Sequence, residues 1–289
     1  MRTHIPETGW TYRPGHNTRL ACFVEGEGPL VVMIHGFPDT PHTWDATRAR
    51  FVREGYRVAT PFLRGYAPSP PAPDGDYRVE AIGRDIAAFA ASFGEKAILI
   101  GHDWGAFSSW AAVELAPECF SRFVCVAIPP PGSIRATPRT VWASRHMIGL
   151  TFPGAEGRFA ERDFQGVRTL YERWSPEHKW TEAELGAVKN CLSAPGSLEA
   201  ALAYYRQHSP LMPSWLTRKL VVPTLVVAGE SDGITDAVDF EDARDWVQAP
   251  CEVVTVPGGH FMQVEHPEAF CAAVLSWLRE PVAAERAEA

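Results

Sequence analysis

Ala97-Ile98-Leu99-Ile100-Gly101-His102-Asp103-Trp104-Gly105 is the stretch whose reading decides the fold. Its first four residues are a short apolar run, the pattern of a strand buried on both faces of a parallel sheet. A glycine, three residues and a second glycine follow, and a helical pattern then runs to Leu115. This is the G-x-Nuc-x-G form, in which a sharp strand-to-helix turn pushes the middle residue out above the sheet. That middle residue is Asp103. The plainer reading is an ordinary turn with an acidic side chain near a helix N-terminus, where the helix dipole favours it. The rest of the chain has to decide between the two.

Outward from this turn the same alternation recurs. Leu30-Val31-Val32-Met33-Ile34 is another unbroken apolar run, ending in His35-Gly36. Tyr56–Thr60 reads as a weaker strand closed by Pro61, Val79–Phe93 as a helix with Ile82, Ile86 and Phe89 on one face, and Phe123–Ile128 as a strand. Strand–helix–strand alternation predicts a parallel sheet with right-handed crossovers. Pro129-Pro130-Pro131-Gly132 breaks the pattern. From residue 133 to 217 no buried strand is expected; the segment holds Trp142, Trp174, Trp180 and Trp215 and reads as several amphipathic helices. The sheet resumes at Leu220–Ala228 and Cys251–Val256, a last helix runs from Pro267 to Leu278, and the polar tail Pro281–Ala289 is expected to fray. The chain thus divides into a core of residues 1–130 and 218–289 and a helical insert of residues 131–217.

Composition narrows the class. The chain has 289 residues, 46% hydrophobic and 21% charged, enough for a large core. Its net charge of −8 argues against a nucleic-acid partner and against an anionic membrane surface. No run of about 18 apolar residues predicts a transmembrane helix, and Met1–Gly9 lacks the apolar segment of a secretory signal. Cys22, Cys119, Cys125, Cys191, Cys251 and Cys271 are scattered, without a C-x-x-C pair. They read as buried thiols of a reducing, cytoplasmic compartment rather than a disulfide frame or a zinc site. With no H-E-x-x-H, dense Asp/His cluster, GxGxxG or Walker loop, no metal or nucleotide cofactor is expected. A homodimer is left open.

Three more motifs fall at the ends of predicted strands. Gly258-Gly259-His260-Phe261 follows the last one, Gly229-Glu230-Ser231-Asp232 follows the one before, and His35-Gly36-Phe37-Pro38 follows the first buried run. Nucleophile, acid and histidine then appear in the order Asp103, Asp232, His260, which is the α/β-hydrolase order. Strand ends of open parallel sheets are where ligands bind. The backbone N–H of Phe37 and of Trp104 would form an oxyanion hole, and a cis Phe37–Pro38 bond would fix the turn between them. An aspartate nucleophile is already anionic near neutral pH and can displace a leaving group at saturated carbon. The resulting alkyl ester of Asp103 would be hydrolysed by water activated by His260, oriented by Asp232. Ester or amide hydrolysis would call for Ser or Cys at position 103.

The His35–Pro38 turn, the Arg64-Gly65-Tyr66-Ala67-Pro68-Ser69 stretch, the Gly101–Gly105 turn, the late Asp232 and the Gly258–Phe261 histidine together resemble the α/β-hydrolase-fold epoxide hydrolases. Haloalkane dehalogenases share the Asp nucleophile. The resemblance spans essentially the whole chain. It implies a mostly parallel sheet flanked by helices, with the insert as a helical lid. It implies no cofactor, a small apolar epoxide as substrate and a vicinal diol as product. Phe37, Trp104, His146 and Tyr205 would bind that substrate. Tyr204-Tyr205-Arg206 matches the family's later lid tyrosine and places the acid at Tyr205; Tyr204 lies about 100° further round a helix. Where the family has an earlier lid tyrosine, counting back from Phe152-Pro153-Gly154 reaches His146. As a second donor it would make ring opening pH-sensitive, because histidine titrates near neutrality. Two rivals stand. A haloalkane or haloacid dehalogenase would use the same triad, with Trp104 as a halide donor, although position 37 is Phe rather than Asn and positions 104 and 107 are Trp and Phe. A non-catalytic small-molecule binding protein is the other. His102 is expected to pack under the turn, Arg64 to anchor a loop, and Phe107 and Trp110 to share one helix face.

Overall fold

The computed structural model describes residues 9–134, 137–208, 218–235 and 237–281. Eight strands form one sheet: β1 (Thr11–Pro14), β2 (Arg19–Glu25), β3 (Leu30–Ile34), β4 (Arg57–Pro61), β5 (Ala97–His102), β6 (Phe120–Val126), β7 (Thr224–Gly229) and β8 (Cys251–Val256). Their order is β1-β2-β4-β3-β5-β6-β7-β8. β1 pairs antiparallel with β2 and β2 antiparallel with β4, and all other neighbours are parallel.

The apolar runs explain the layers. Leu30, Val32 and Ile34 of β3 face one core and Val31 and Met33 the other; in β7, Val226 and Ala228 alternate in the same way with Leu225 and Val227. A strand apolar on both faces needs cover on both. On one face lie α2 (Val79–Ala91) and α3 (Trp104–Leu115), and on the other α1 (Asp45–Arg53), α10 (Met262–Glu265) and α11 (Pro267–Arg279). Trp110 packs on Phe123 of β6. Between β6 and β7 the chain forms α4 (Pro138–Ala143), α5 (Arg145–Gly149), α6 (Ala155–Trp174), α7 (Glu182–Leu192) and α8 (Ser197–Arg206), and α9 (Ala237–Phe240) follows β7. The helical reading of the middle segment agrees with these elements. α6 is broken at Glu161–Phe164, where Arg162, Asp163 and Phe164 adopt positive φ.

Some details differ from the sequence reading. β1 and β2 were not expected: β1 is mostly exposed, so it lacks the apolar run that betrays a buried strand. The long apolar stretch Leu220–Ala228 is not one strand. Pro223 interrupts it, and a proline has no N–H for the ladder; only Thr224–Gly229 joins the sheet, while Leu220 makes an isolated bridge to Val247. β6 stops at Val126 because Ala127 turns to φ 64. Trp215, the 217 boundary of the insert, the start of the chain to residue 8 and the tail from residue 282 lie outside the described residues.

Candidate active site

The strand register brings the motifs together. Ile34 of β3 pairs with Gly101 of β5, and Gly229 of β7 pairs with Val256 of β8. Phe37 and Asp103 therefore leave one edge of the sheet side by side, as do Asp232 and His260 further along. The Phe37–Pro38 bond is cis. His35 holds this edge: its Nε2 accepts from the Leu63 N–H at 3.1 Å, and its Nδ1 donates to Gly36 O at 2.9 Å.

Asp103 sits at φ 52, ψ −125, a conformation an L-residue adopts only when its surroundings impose it. Two glycines do so. A Cβ on Gly105 would strike the carbonyls of Ile34 and His35, so only glycine lets α3 come this close to β3. A Cβ on Gly36 would strike the Asp103 side chain itself. The carboxylate is then fixed from two sides. Its Oδ1 accepts from the Phe37 N–H at 2.8 Å, and its Oδ2 lies 3.3 Å from His260 Nε2. The Trp104 amide opens α3 and is one of the free donors of a first turn, but no hydrogen bond joins it to the carboxylate in this state. One of the two expected oxyanion donors is thus engaged.

His260 Nδ1 is 2.9 Å from Asp232 Oδ2, and Asp232 Oδ1 in turn accepts the N–H of Ile234 at 2.7 Å. Burial opposes a charged imidazole. The Asp232 carboxylate and then Asp103 outweigh it and push His260 up to about 10. Burial also opposes charge on Asp103, yet the adjoining His260 and the Phe37 N–H hold it below the ordinary carboxylate range. Both groups therefore rest as an ion pair. His102 behaves as a packing residue: fully buried, it donates from Nε2 to His260 O at 2.9 Å, and burial together with the neighbouring His260 pushes it down to about 3. Arg64 is the expected anchor, reaching Asp85 at 2.5 Å and Asp76 O at 2.6 Å.

Asp103 opens onto a cavity of about 250 Å³ whose wall also includes Trp104, Phe107, His146, Tyr205 and His208. The lining is mainly apolar. The Tyr205 ring stands edge-on to Trp104, 5.1 Å between centroids. Its hydroxyl is buried and makes no hydrogen bond of normal geometry among the described residues. Burial holds this phenol well above its ordinary value, so it stays protonated. Tyr204 points elsewhere and donates to Arg64 O at 2.9 Å. The His146 ring is 5.9 Å from that of Tyr205, so the two expected donors share one wall.

Two expectations need correction. Phe37 contributes its amide but not a cavity wall. Its ring is fully buried behind Tyr205 and Phe159, because the cis turn that aims the N–H at Asp103 sends the side chain into the core. His146 does not titrate near neutrality either: burial, with the Arg173 guanidinium beside it, pushes it down to about 4. Sequence reasoning also missed three residues. His208 is three positions after Tyr205, just past the end of α8, a spacing that could have found it; its ring meets Trp104 at 5.4 Å. Arg173 and Trp174 carry no motif. The Trp174 carbonyl accepts the N–H of both His260 and Gly233 at 3.0 Å, so the C-terminus of α6 ties together the two loops that bear Asp232 and His260.

This arrangement has relatives. The family described as alpha/beta hydrolase fold matches residues 29–267. Epoxide hydrolase 3 of Mus musculus is 30% identical over 260 residues, 84% of this chain and 68% of that protein. Epoxide hydrolase 4 of the same species is 27% identical over 266 residues, 87% of this chain and 73% of that one. Among solved structures, Epoxide Hydrolase A from Mycobacterium thermoresistibile superposes with a TM-score of 0.80 at 25% identity, covering 94% of this chain and 98% of its own. The chain belongs to the alpha/beta hydrolase fold family and, within it, to the epoxide hydrolases.

Proposed function

We propose that this protein opens a small apolar epoxide to a vicinal diol through a covalent ester on Asp103, and that residues 131–217 form the lid over that site. The observation that carries the reading is the Asp103 carboxylate, held between the Phe37 N–H and His260, on the wall of an apolar cavity that Tyr205 and His146 also line.

The contacts suggest which oxygen attacks. Oδ1 is engaged by the amide, so Oδ2 attacks the ring carbon and Oδ1 becomes the ester carbonyl, already seated at its donor. As the carbon–oxygen bond of the ring breaks, its electron pair passes to the oxygen, which takes the Tyr205 proton while His146 donates a hydrogen bond. The ester no longer carries the charge that helped hold the proton on His260, so that proton passes, through solvent, to the Tyr205 phenolate. Neutral His260 then takes one proton of the attacking water. The water oxygen bonds to the ester carbon, the diol oxygen leaves with the second proton, and Asp103 returns as carboxylate beside a protonated His260. The base is thus released by the first half-reaction rather than present at rest.

A single turnover in heavy-oxygen water tests this. Label is expected in the Asp103 carboxylate of the wild type, and His260→Gln is expected to accumulate a stable adduct on that residue, both read by mass spectrometry. Halide release from haloalkanes or haloacids without diol from epoxides would favour the dehalogenase. Neither adduct nor label with any epoxide or halide would leave a binding protein. No helix among the described residues is long and apolar enough to cross a membrane, and all six cysteines are free thiols, which agrees with the proposed cytoplasmic setting.

A further inference from the structure

We infer that Arg173, at the end of α6, is a positioning residue that fixes His146 as the Nε2–H tautomer and keeps a positive charge behind the two donors to the epoxide oxygen. The inference rests on the Asp103-ester reading above. Arg173 Nη2 lies 2.8 Å from His146 Nδ1 and 3.2 Å from Ala143 O. A guanidinium has donors only. The short contact to Nδ1 is a hydrogen bond only if Nδ1 carries a lone pair, which leaves the imidazole proton on Nε2. An imidazolium would instead set two cations 2.8 Å apart. The Ala143 carbonyl, 3.2 Å from Nδ1, is the alternative partner of the ring and is already served by the arginine.

The charge is not neutralised locally. Among the described residues no carboxylate pairs with Arg173, its Nε is buried without a partner, and the neighbouring charge is a second cation, Arg145. The groups around His146 are few: the rings of Trp174 and Tyr205, Arg173 itself, and Asp103 and His260 further off. When Asp103 Oδ2 bonds to the ring carbon, negative charge passes to the epoxide oxygen and then, as Tyr205 gives up its proton, to the phenolate. His146 Nε2–H donates to that oxygen and keeps its proton. The Arg173 charge favours the phenolate, and burial of Nδ1 against the guanidinium keeps the ring from turning a lone pair toward the substrate.

Nitrogen-15 NMR of His146 in the resting protein, with single-turnover kinetics on an epoxide such as styrene oxide, tests the assignment. In the wild type Nδ1 is expected unprotonated and Nε2 protonated, with the ring neutral throughout the working range. In Arg173→Met the proton is expected to move to Nδ1, toward Ala143 O, and the ring to protonate nearer neutrality. Adduct formation is then slowed about ten-fold or more, with a new loss of rate at low pH, whereas hydrolysis of the preformed ester changes by less than about two-fold. Arg173→Lys, which keeps a charged donor, restores most of the rate. Arg173→Gln keeps a neutral donor and covers the case in which the Met variant fails to fold; it is expected to retain the tautomer and lose rate. A wild-type ring protonated at Nδ1 near neutral pH, or an Arg173→Met protein with unchanged tautomer and adduct rate, overturns the inference. Absence of any wild-type adduct with epoxides removes the Asp103 reading instead, and the tautomer measured at rest still decides the role of Arg173.

Discussion

In the proposed reaction the Tyr205 hydroxyl supplies the proton to the epoxide oxygen. Burial keeps it protonated, and no partner among the described residues competes for its proton before an epoxide arrives. Tyr204, one residue earlier, is unsuited to the task because its hydroxyl is bound to Arg64 O. Tyr205→Phe removes the proton and leaves the ring contacts with Trp104 and Phe37 in place. Adduct formation is expected to fall by about a hundred-fold or more, the usual scale of a lost general acid, with ester hydrolysis and melting temperature little changed. Stopped-flow single turnovers separate the two steps. An equal loss in both, or in neither, contradicts the proposed role.

At the scale of elements, the site depends on how closely α3 and β3 approach. Gly105→Ala places a methyl group against the Ile34 and His35 carbonyls, which are backbone and cannot rotate away. The helix and strand must part, which costs on the order of 3 kcal/mol. The Phe37 amide then moves off Asp103 Oδ1. Chemical denaturation and adduct formation should fail together in this variant. A fully stable and active Gly105→Ala protein argues that the elbow is looser than its geometry suggests. The C-terminus of α6 has a comparable part. The Trp174 carbonyl holds the His260 and Gly233 amides, and the Ser175 hydroxyl accepts the Phe261 N–H at 3.1 Å and donates to Glu265 at 2.6 Å. The helices between β6 and β7 therefore cover the cavity and also brace the loops beneath it.

For the whole molecule, the buried histidines set the response to pH. His35 and His146 are pushed down to about 4 and His102 to about 3, in each case first by burial. As pH falls below about 6.5 the unfolded chain takes up protons at these three positions that the folded chain refuses, so stability is lost. Asp39 opposes this: burial raises it to about 7, and its folded form keeps a proton that the unfolded form has released. These three against one leave a net loss on the order of 3 kcal/mol per pH unit between about pH 6.5 and 4, and His208, also lowered by burial, acts in the same direction. On the other side His260, raised to about 10, adds stability that is complete below about 6.5 and is lost as pH climbs toward 10. Urea unfolding from about pH 4.5 to 9 is expected to show a maximum near pH 6.5. Stability that keeps rising toward acid would contradict the assignment of neutral buried rings.

The sequence by itself determined the parallel strands and the four motifs at their ends. Doubly buried strands must be continuous apolar runs, and a strained elbow needs its flanking glycines, so both constraints are written in consecutive residues. It also pointed to the helical character of 133–217, seen over the described part of that segment, to the free cysteines and to the packing role of His102. The edge strand β1 was not legible because it is mostly exposed, and β2, between β1 and β4, was missed because its buried stretch is only Leu20-Ala21-Cys22. Nor were the direction of the Phe37 ring, the low pKa of His146, or the contacts of Arg173 and Trp174. Which way the Phe37 ring points, and whether His146 meets a cation or a carboxylate, depends on which residues of distant segments come within a few ångströms. That is set by the packing of α5, α6 and α8 over the sheet edge, and no local spacing encodes it.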